Sequence, residues 1–249
     1  GIALASLTRG VAVAWLAVPV LVSALAARSP RGAALRTAGL RGACAALGEG
    51  RYDPAFEPGM FDSDFTRLTR PNRYFPLRIG NRWEYQGGTE TNTIEVTSDT
   101  KLIDEVTCLV VRDTVRDEGK LKEGTDDWFA QAKDGSVWYC GEEVKNYQFS
   151  DGDRPQAPEL VSIDGRFKAG VEGAKPGIIF PARPVVGQTY LEEFSLANAE
   201  DTAQVFSTTY SYGENQELDR FVPRQLAQLL CNHNCVVTEN VSLLEPGIA

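Results

Sequence analysis

The chain has 249 residues, 43% hydrophobic and 24% charged, an ordinary composition for a globular protein with room for one large domain or two small ones. All 34 acids lie from Glu49 onward, whereas five arginines (Arg9, Arg28, Arg31, Arg36, Arg41) precede them, so the body carries 34 acids against 20 bases. A body this acidic repels phosphate backbones and excludes nucleic acid as a partner, while it suits cations or basic partners.

The first segment is different in kind. Residues 11–27 (VAVAWLAVPVLVSALAA) run without a charge, Arg9 precedes them, and Ala24-Leu25-Ala26 offers a small-x-small cleavage site. That is the layout of an export-signal helix; 17 residues with Pro19 inside is short for a membrane anchor. Residues 1–27 therefore read as a signal peptide or anchor, the one route to membrane association. The expected location is exported: periplasmic, cell-surface or extracellular. Residues 28–72 read as a flexible spacer, Arg/Ala/Gly-rich at first, in which Phe56, Phe61 and Phe65 can lie against a domain. Within it, the Gly42-Ala43-Cys44 ending of LRGAC has the small-small-Cys form of a lipid-attachment site, with Arg41 where an aliphatic residue is wanted.

From residue 73 to 249 the chain reads as a β-rich domain. Residues 82–86 alternate Trp83 and Tyr85 with polar neighbours, which is strand periodicity. Residues 93–97 and 107–116 follow, the latter rich in β-branched residues and separated from the former by Asp104-Glu105. A turn at 118–120 leads into 122–132, and Asp134-Gly135 turns the chain again into 137–141. Such a meander pairs sequence neighbours antiparallel. The signal weakens between 150 and 187, where proline and glycine recur; short strands are expected at 165–169 and 178–180, and GVEGAKPG (170–177) as loop. Residues 189–194 and 199–211 read as a second long hairpin, 223–230 (PRQLAQLL) as a short C-terminal helix, and 235–243 as a last strand. The fold class predicted is mainly β: a single antiparallel curved sheet or open β-barrel, with that short helix and the preceding export-signal helix.

The stretch DDWFAQAKDGSVWYCGEE (126–143) is the densest in the chain. A two-residue primed turn at Asp134-Gly135 sets Gln131 opposite Trp138, Ala130 opposite Tyr139 and Phe129 opposite Cys140. One face then holds Trp128, Ala130, Ala132, Val137 and Tyr139, and the other Asp127, Phe129, Gln131, Trp138, Cys140 and Glu142. Asp127 stands opposite Glu142, and opposed like charges destabilise a sheet unless a cation, an arginine or a raised pKa relieves them. The sharp reading is a carboxylate pair for acid–base chemistry or a calcium site; the favoured reading is two solvated acids at the frayed end of a hairpin.

Other signatures are sparse. His233 is the only histidine, and Cys231, His233 and Cys235 lack a fourth zinc ligand, so Cys231 and Cys235 read as a disulfide clamping a tight turn. Cys108 and Cys140 either pair across a sheet or stay as buried thiols. No P-loop or dinucleotide-binding glycine pattern occurs. No catalytic residue, metal or cofactor is assigned.

The strings YFPLRIGNRWEYQG (74–87), VTCLVVRDTV (106–115), GTDDWFAQAKDGSVWYCGEEVKNY (124–147) and AGVEGAKPGIIFPARPVVGQTYLEEF (169–194), in that order, resemble a family of uncharacterised bacterial secreted or lipoprotein-like proteins. The resemblance implies an exported β-rich protein and carries over no catalytic residue. It also implies a further strand after LEPG (244–247), without which the edge of the 235–243 strand is left open. Curved sheets with aromatic interiors commonly hold apolar ligands. The leading expectation is a non-enzymatic cell-envelope protein binding a small apolar ligand or lipid through Trp83, Tyr85, Phe129 and Trp138. The alternatives are a hydrolase using Asp127 and Glu142, or a structural or interaction module.

Overall fold

The computed structural model describes residues 22–23, 52–220 and 234–242. Five antiparallel strands follow a two-residue strand β1 (Val22–Ser23): β2 (Arg82–Gly87), β3 (Glu90–Ile103), β4 (Val106–Asp117), β5 (Lys120–Gln131) and β6 (Val137–Gln148). Two of their turns are built on consecutive positive-φ residues, Asp104-Glu105 (47° and 66°) and Glu118-Gly119 (49° and 78°), the backbone that matches the twist of a tight hairpin. On the free edge of β6 lie β7 (Glu159–Ser162), β8 (Phe167–Lys168) and β9 (Lys175–Phe180). The remaining elements are β10 (Thr189–Leu191), β11 (Glu193–Phe194), β12 (Asp201–Tyr210), a four-residue helix α1 (Gln216–Asp219) and β13 (Cys235–Ser242).

The strands form a nine-stranded sheet with the path β11-β9-β6-β5-β4-β3-β2, and a four-stranded sheet ordered β1-β13-β12-β10. The large sheet is a curled antiparallel half-barrel, and the fold is mainly β. Register shifts between Val96 and Thr100, Val115 and Arg116, and Trp128 and Phe129 mark bulges whose extra residues lie on β3, β5 and β6, and bulges bend and twist a sheet.

Two apolar clusters occupy the two faces of the large sheet. The larger holds Phe75, Leu77, Tyr85, Ile94, Leu109, Phe129 and Tyr139, together with Tyr190, Ala203, Val205 and Val236 of the small sheet, which therefore covers this inner face. The smaller, on the outer face, holds Cys108, Val110, Trp128, Ala130, Trp138 and Cys140, capped by Phe61 with Phe56 against it. Phe61 and Phe65, in the segment expected to be spacer, are buried against the sheet; Asn72 ties the same segment down, its Nδ2 donating to Gly135 O at 2.8 Å.

Several expectations change on contact with the structure. The helix at 223–230 lies outside the described residues; the described α-helix is α1, opened by Asn215, whose side chain accepts from the backbone N–H groups of Glu217 and Leu218. Of the export-signal helix only Val22 and Ser23 are described, and they are extended, paired in parallel with Val237 and Thr238. The expected 189–194 strand is two strands: β10 pairs with β12 in the small sheet and β11 with β9 in the large one, so the chain changes sheet at Glu192. Gly177 explains the change, since a Cβ there would lie 2.0 Å from Glu192 O, and only a residue without a side chain admits that crossing.

Candidate functional site

The β5–β6 hairpin turns one residue wider than the sequence suggests. Ala132 N–H donates to Ser136 O at 2.9 Å, and Asp134 Oδ1 accepts from both the backbone N–H (2.8 Å) and the hydroxyl (2.7 Å) of Ser136. The loop is thus Lys133-Asp134-Gly135, and Gln131 faces Val137, Ala130 faces Trp138 and Phe129 faces Tyr139. A one-residue slip moves side chains to the opposite face. The expected face assignment is corrected accordingly: Trp128 joins Trp138 on the outer face, while Tyr139 joins Phe129 on the inner one, their rings stacked with centroids 4.8 Å apart.

A bulge then restores the register. Cys140 is the extra residue, so that Trp128 faces Gly141 and Asp127 faces Glu142, as expected. Gly141 (φ 129°) is obligatory here, because a Cβ would meet Phe167 O at 2.3 Å as β8 closes on β6. Cys140 of β6 forms a disulfide with Cys108 of β4, and Ala130, on the strand between them, is buried in the same cluster. Cys235 is also disulfide-bonded; Cys231 lies outside the described residues, as does His233.

Of the four residues expected to bind a ligand, three share the inner face: Tyr85 and Phe129 are buried in its cluster and Trp83 packs against it. Trp138 does not join them. It sits on the outer face among Phe56 and Phe61, its Nε1–H donating to Ser136 Oγ at 3.1 Å.

The inner face also carries acids. Asp127 is 4% exposed, so the frayed, solvated end is overturned: β5 and β6 continue paired as far as Glu123 and Asn146. The Tyr139 hydroxyl donates to Asp127 Oδ1 at 2.5 Å. Burial pushes the Asp127 carboxyl up to about 7, against the opposing pull of that hydrogen bond, with Glu123 and Asp126 adding to the rise. Glu142 is raised well above the carboxylate range by burial first and Asp127 second; Glu193, delivered by β11, is raised by burial and by Asp201, Glu142, Glu192 and Asp127. Tyr139 is pushed far up by burial and by Asp127, Glu142 and Glu193. Asp113 of β4 is raised chiefly by burial and accepts from Asn92 Nδ2 at 2.8 Å. Strand alternation puts cations on the other side: Arg112 pairs with Asp126, Lys145 with Glu143, and Lys101 lies over the Trp128 ring.

The arrangement can bind protons near neutral pH and can accept hydrogen bonds from, or balance the charge of, a guest against an aromatic wall. Sequence reasoning finds Asp127 and Glu142 from their opposition but misses Glu193 and Tyr139, because Glu193 enters through the sheet change at Glu192 and Tyr139 through the wider turn. Among the described residues no group of three or more His, Cys, Asp or Glu side chains is placed to hold a metal ion. No protein-family model, curated protein or solved structure matches the chain.

Proposed function

We propose that this chain is an exported cell-envelope protein that binds a small, mainly apolar molecule or lipid on the inner face of its half-barrel, as the resemblance of its motifs to bacterial secreted and lipoprotein-like proteins also suggests. The observation that carries the reading is the aromatic inner face, where Tyr85 and Phe129 belong to one apolar cluster and Trp83 packs against it, within a curled sheet that a second sheet covers. Export is supported by the charge-free run at 11–27 and by the Cys108–Cys140 disulfide, which belongs to an oxidising compartment. The test is titration with a fluorescent apolar probe. Trp83→Ala weakens binding at least about tenfold, a loss of roughly 1.4 kcal/mol, whereas Trp138→Phe on the outer face leaves it unchanged. Equal effects of the two substitutions, or no saturable binding, count against the reading.

One observation favours a second reading, a hydrolase. Asp127 and Glu142 stand directly opposite each other with the Tyr139 hydroxyl on Asp127, and carboxyls whose proton affinities are raised toward neutrality suit general acid–base work. A screen of glycoside and peptide substrates decides it: turnover that Asp127→Asn and Glu142→Gln each abolish supports a hydrolase.

A further inference from the structure

We propose that the seam between the two sheets is a pH-sensitive joint, closed when its carboxyls carry protons and loosened when they ionise, so that the small sheet is released from the half-barrel as pH rises. The geometry places acids on both sides of a single crossing. The chain leaves the small sheet after Leu191 and enters the large one at Glu193, with Glu192 the only residue between the two strands. On the large-sheet side stand Asp127 of β5 and Glu142 of β6, with the Tyr139 hydroxyl on Asp127. On the small-sheet side Asp201 opens β12, and Asn240 of β13 donates through Nδ2 to Glu192 Oε2 at 2.9 Å.

Among the described residues, the groups that raise the proton affinities of this seam's carboxyls are themselves acids. From β5 come Glu123 and Asp126, from β6 Glu142, from β11 and its approach Glu193 and Glu192, and from β12 Asp201; each opposes ionisation of its neighbours. Protonated, a carboxyl gains an O–H donor that can serve a neighbouring carboxylate; ionised, it is an acceptor only and faces like charge in a poorly solvated place. The crossing itself is rigidly seated, because Glu192 O lies where a Cβ on Gly177 would be, so repulsion has no soft local outlet and acts on the docking of the sheet. Burial and this mutual repulsion raise the proton affinities of the acids above the ordinary carboxylate range, that of Asp127 to about 7, so its ionisation falls near neutral rather than acidic pH. The joint does not depend on which ligand, if any, the inner face takes.

Amide hydrogen exchange on the full chain between about pH 5 and pH 8, corrected for the intrinsic pH dependence of exchange, tests this. The expected result is that protection in β10, β12 and β13 falls at least about tenfold across that range while β3 and β4 stay protected. In Asp127→Asn/Glu142→Gln/Glu193→Gln the fall shrinks to less than about threefold. Glu193→Gln alone, a milder change, halves it or better on a logarithmic scale and serves if the triple variant does not fold. Equal loss of protection in both sheets, no loss in the small sheet, or an undiminished loss in the Glu193→Gln protein overturns the proposal.

Discussion

Tyr139 and Asp127 form the tightest polar contact on the inner face. Tyr139→Phe removes the hydroxyl that favours the Asp127 carboxylate, so destabilisation of about 1–2 kcal/mol in urea titrations at about pH 7.5 is expected. The pH dependence has a definite sign. The folded-state proton affinities of Asp127, Glu142 and Glu193 are raised, so the native chain holds protons that the unfolded chain releases above about pH 4. Stability from these groups is fully present below that point and is lost as pH climbs through their raised values, about 7 for Asp127 and well above the ordinary carboxylate range for Glu142 and Glu193. Urea midpoints measured from about pH 4.5 to 8 should fall, and in Asp127→Asn they should fall less. Gly177→Ala is the severe case: the added methyl meets Glu192 O, and a loss of about 3 kcal/mol or more is expected by thermal melting. The opposition of Asp127 and Glu142 is legible in the sequence, because alternation on both strands survives the compensating shifts of turn and bulge. The burial of Asp127 is not, since nothing local to 126–143 announces that β10 to β13 cover that face.

At the scale of elements, the hairpin of β5 and β6 shows how far local rules reach. Both strands are legible from aromatic and β-branched runs, and Asp104-Glu105 and Glu118-Gly119 from their turn chemistry. The register differs by one residue from the sequence expectation because Asp134 uses its side chain on Ser136, which converts an expected two-residue turn into a three-residue one. The bulge at Cys140 has a clear signal only in hindsight, in the glycine that follows it. The β4–β6 disulfide rests on that bulge, and Cys108→Ser with Cys140→Ser should lower stability by about 2–4 kcal/mol in denaturant titrations. The β10–β11 stretch reads as one strand because its residues alternate well enough; the sheet change depends on Gly177, which lies earlier in the chain and in another strand.

For the whole molecule, the mainly β, curved antiparallel architecture is legible from alternation and turn spacing alone, because those signals are local and repeat along the chain. The division into a large sheet and a small covering one is not, since it is set by long-range pairing of β12 with β13 across the α1 region. That division gives the inner face its character: aromatic at Trp83, Tyr85 and Phe129, acidic at Asp127, Glu142 and Glu193, with Trp138 turned to the outer face. The most direct test of a ligand-binding inner face is native mass spectrometry of the full chain purified without organic solvent. The account predicts a population carrying a small bound molecule that dissociates on collisional activation and is depleted in Trp83→Ala but not in Trp138→Phe. A single species at the bare polypeptide mass, unchanged after incubation with extracted envelope lipids, would contradict it.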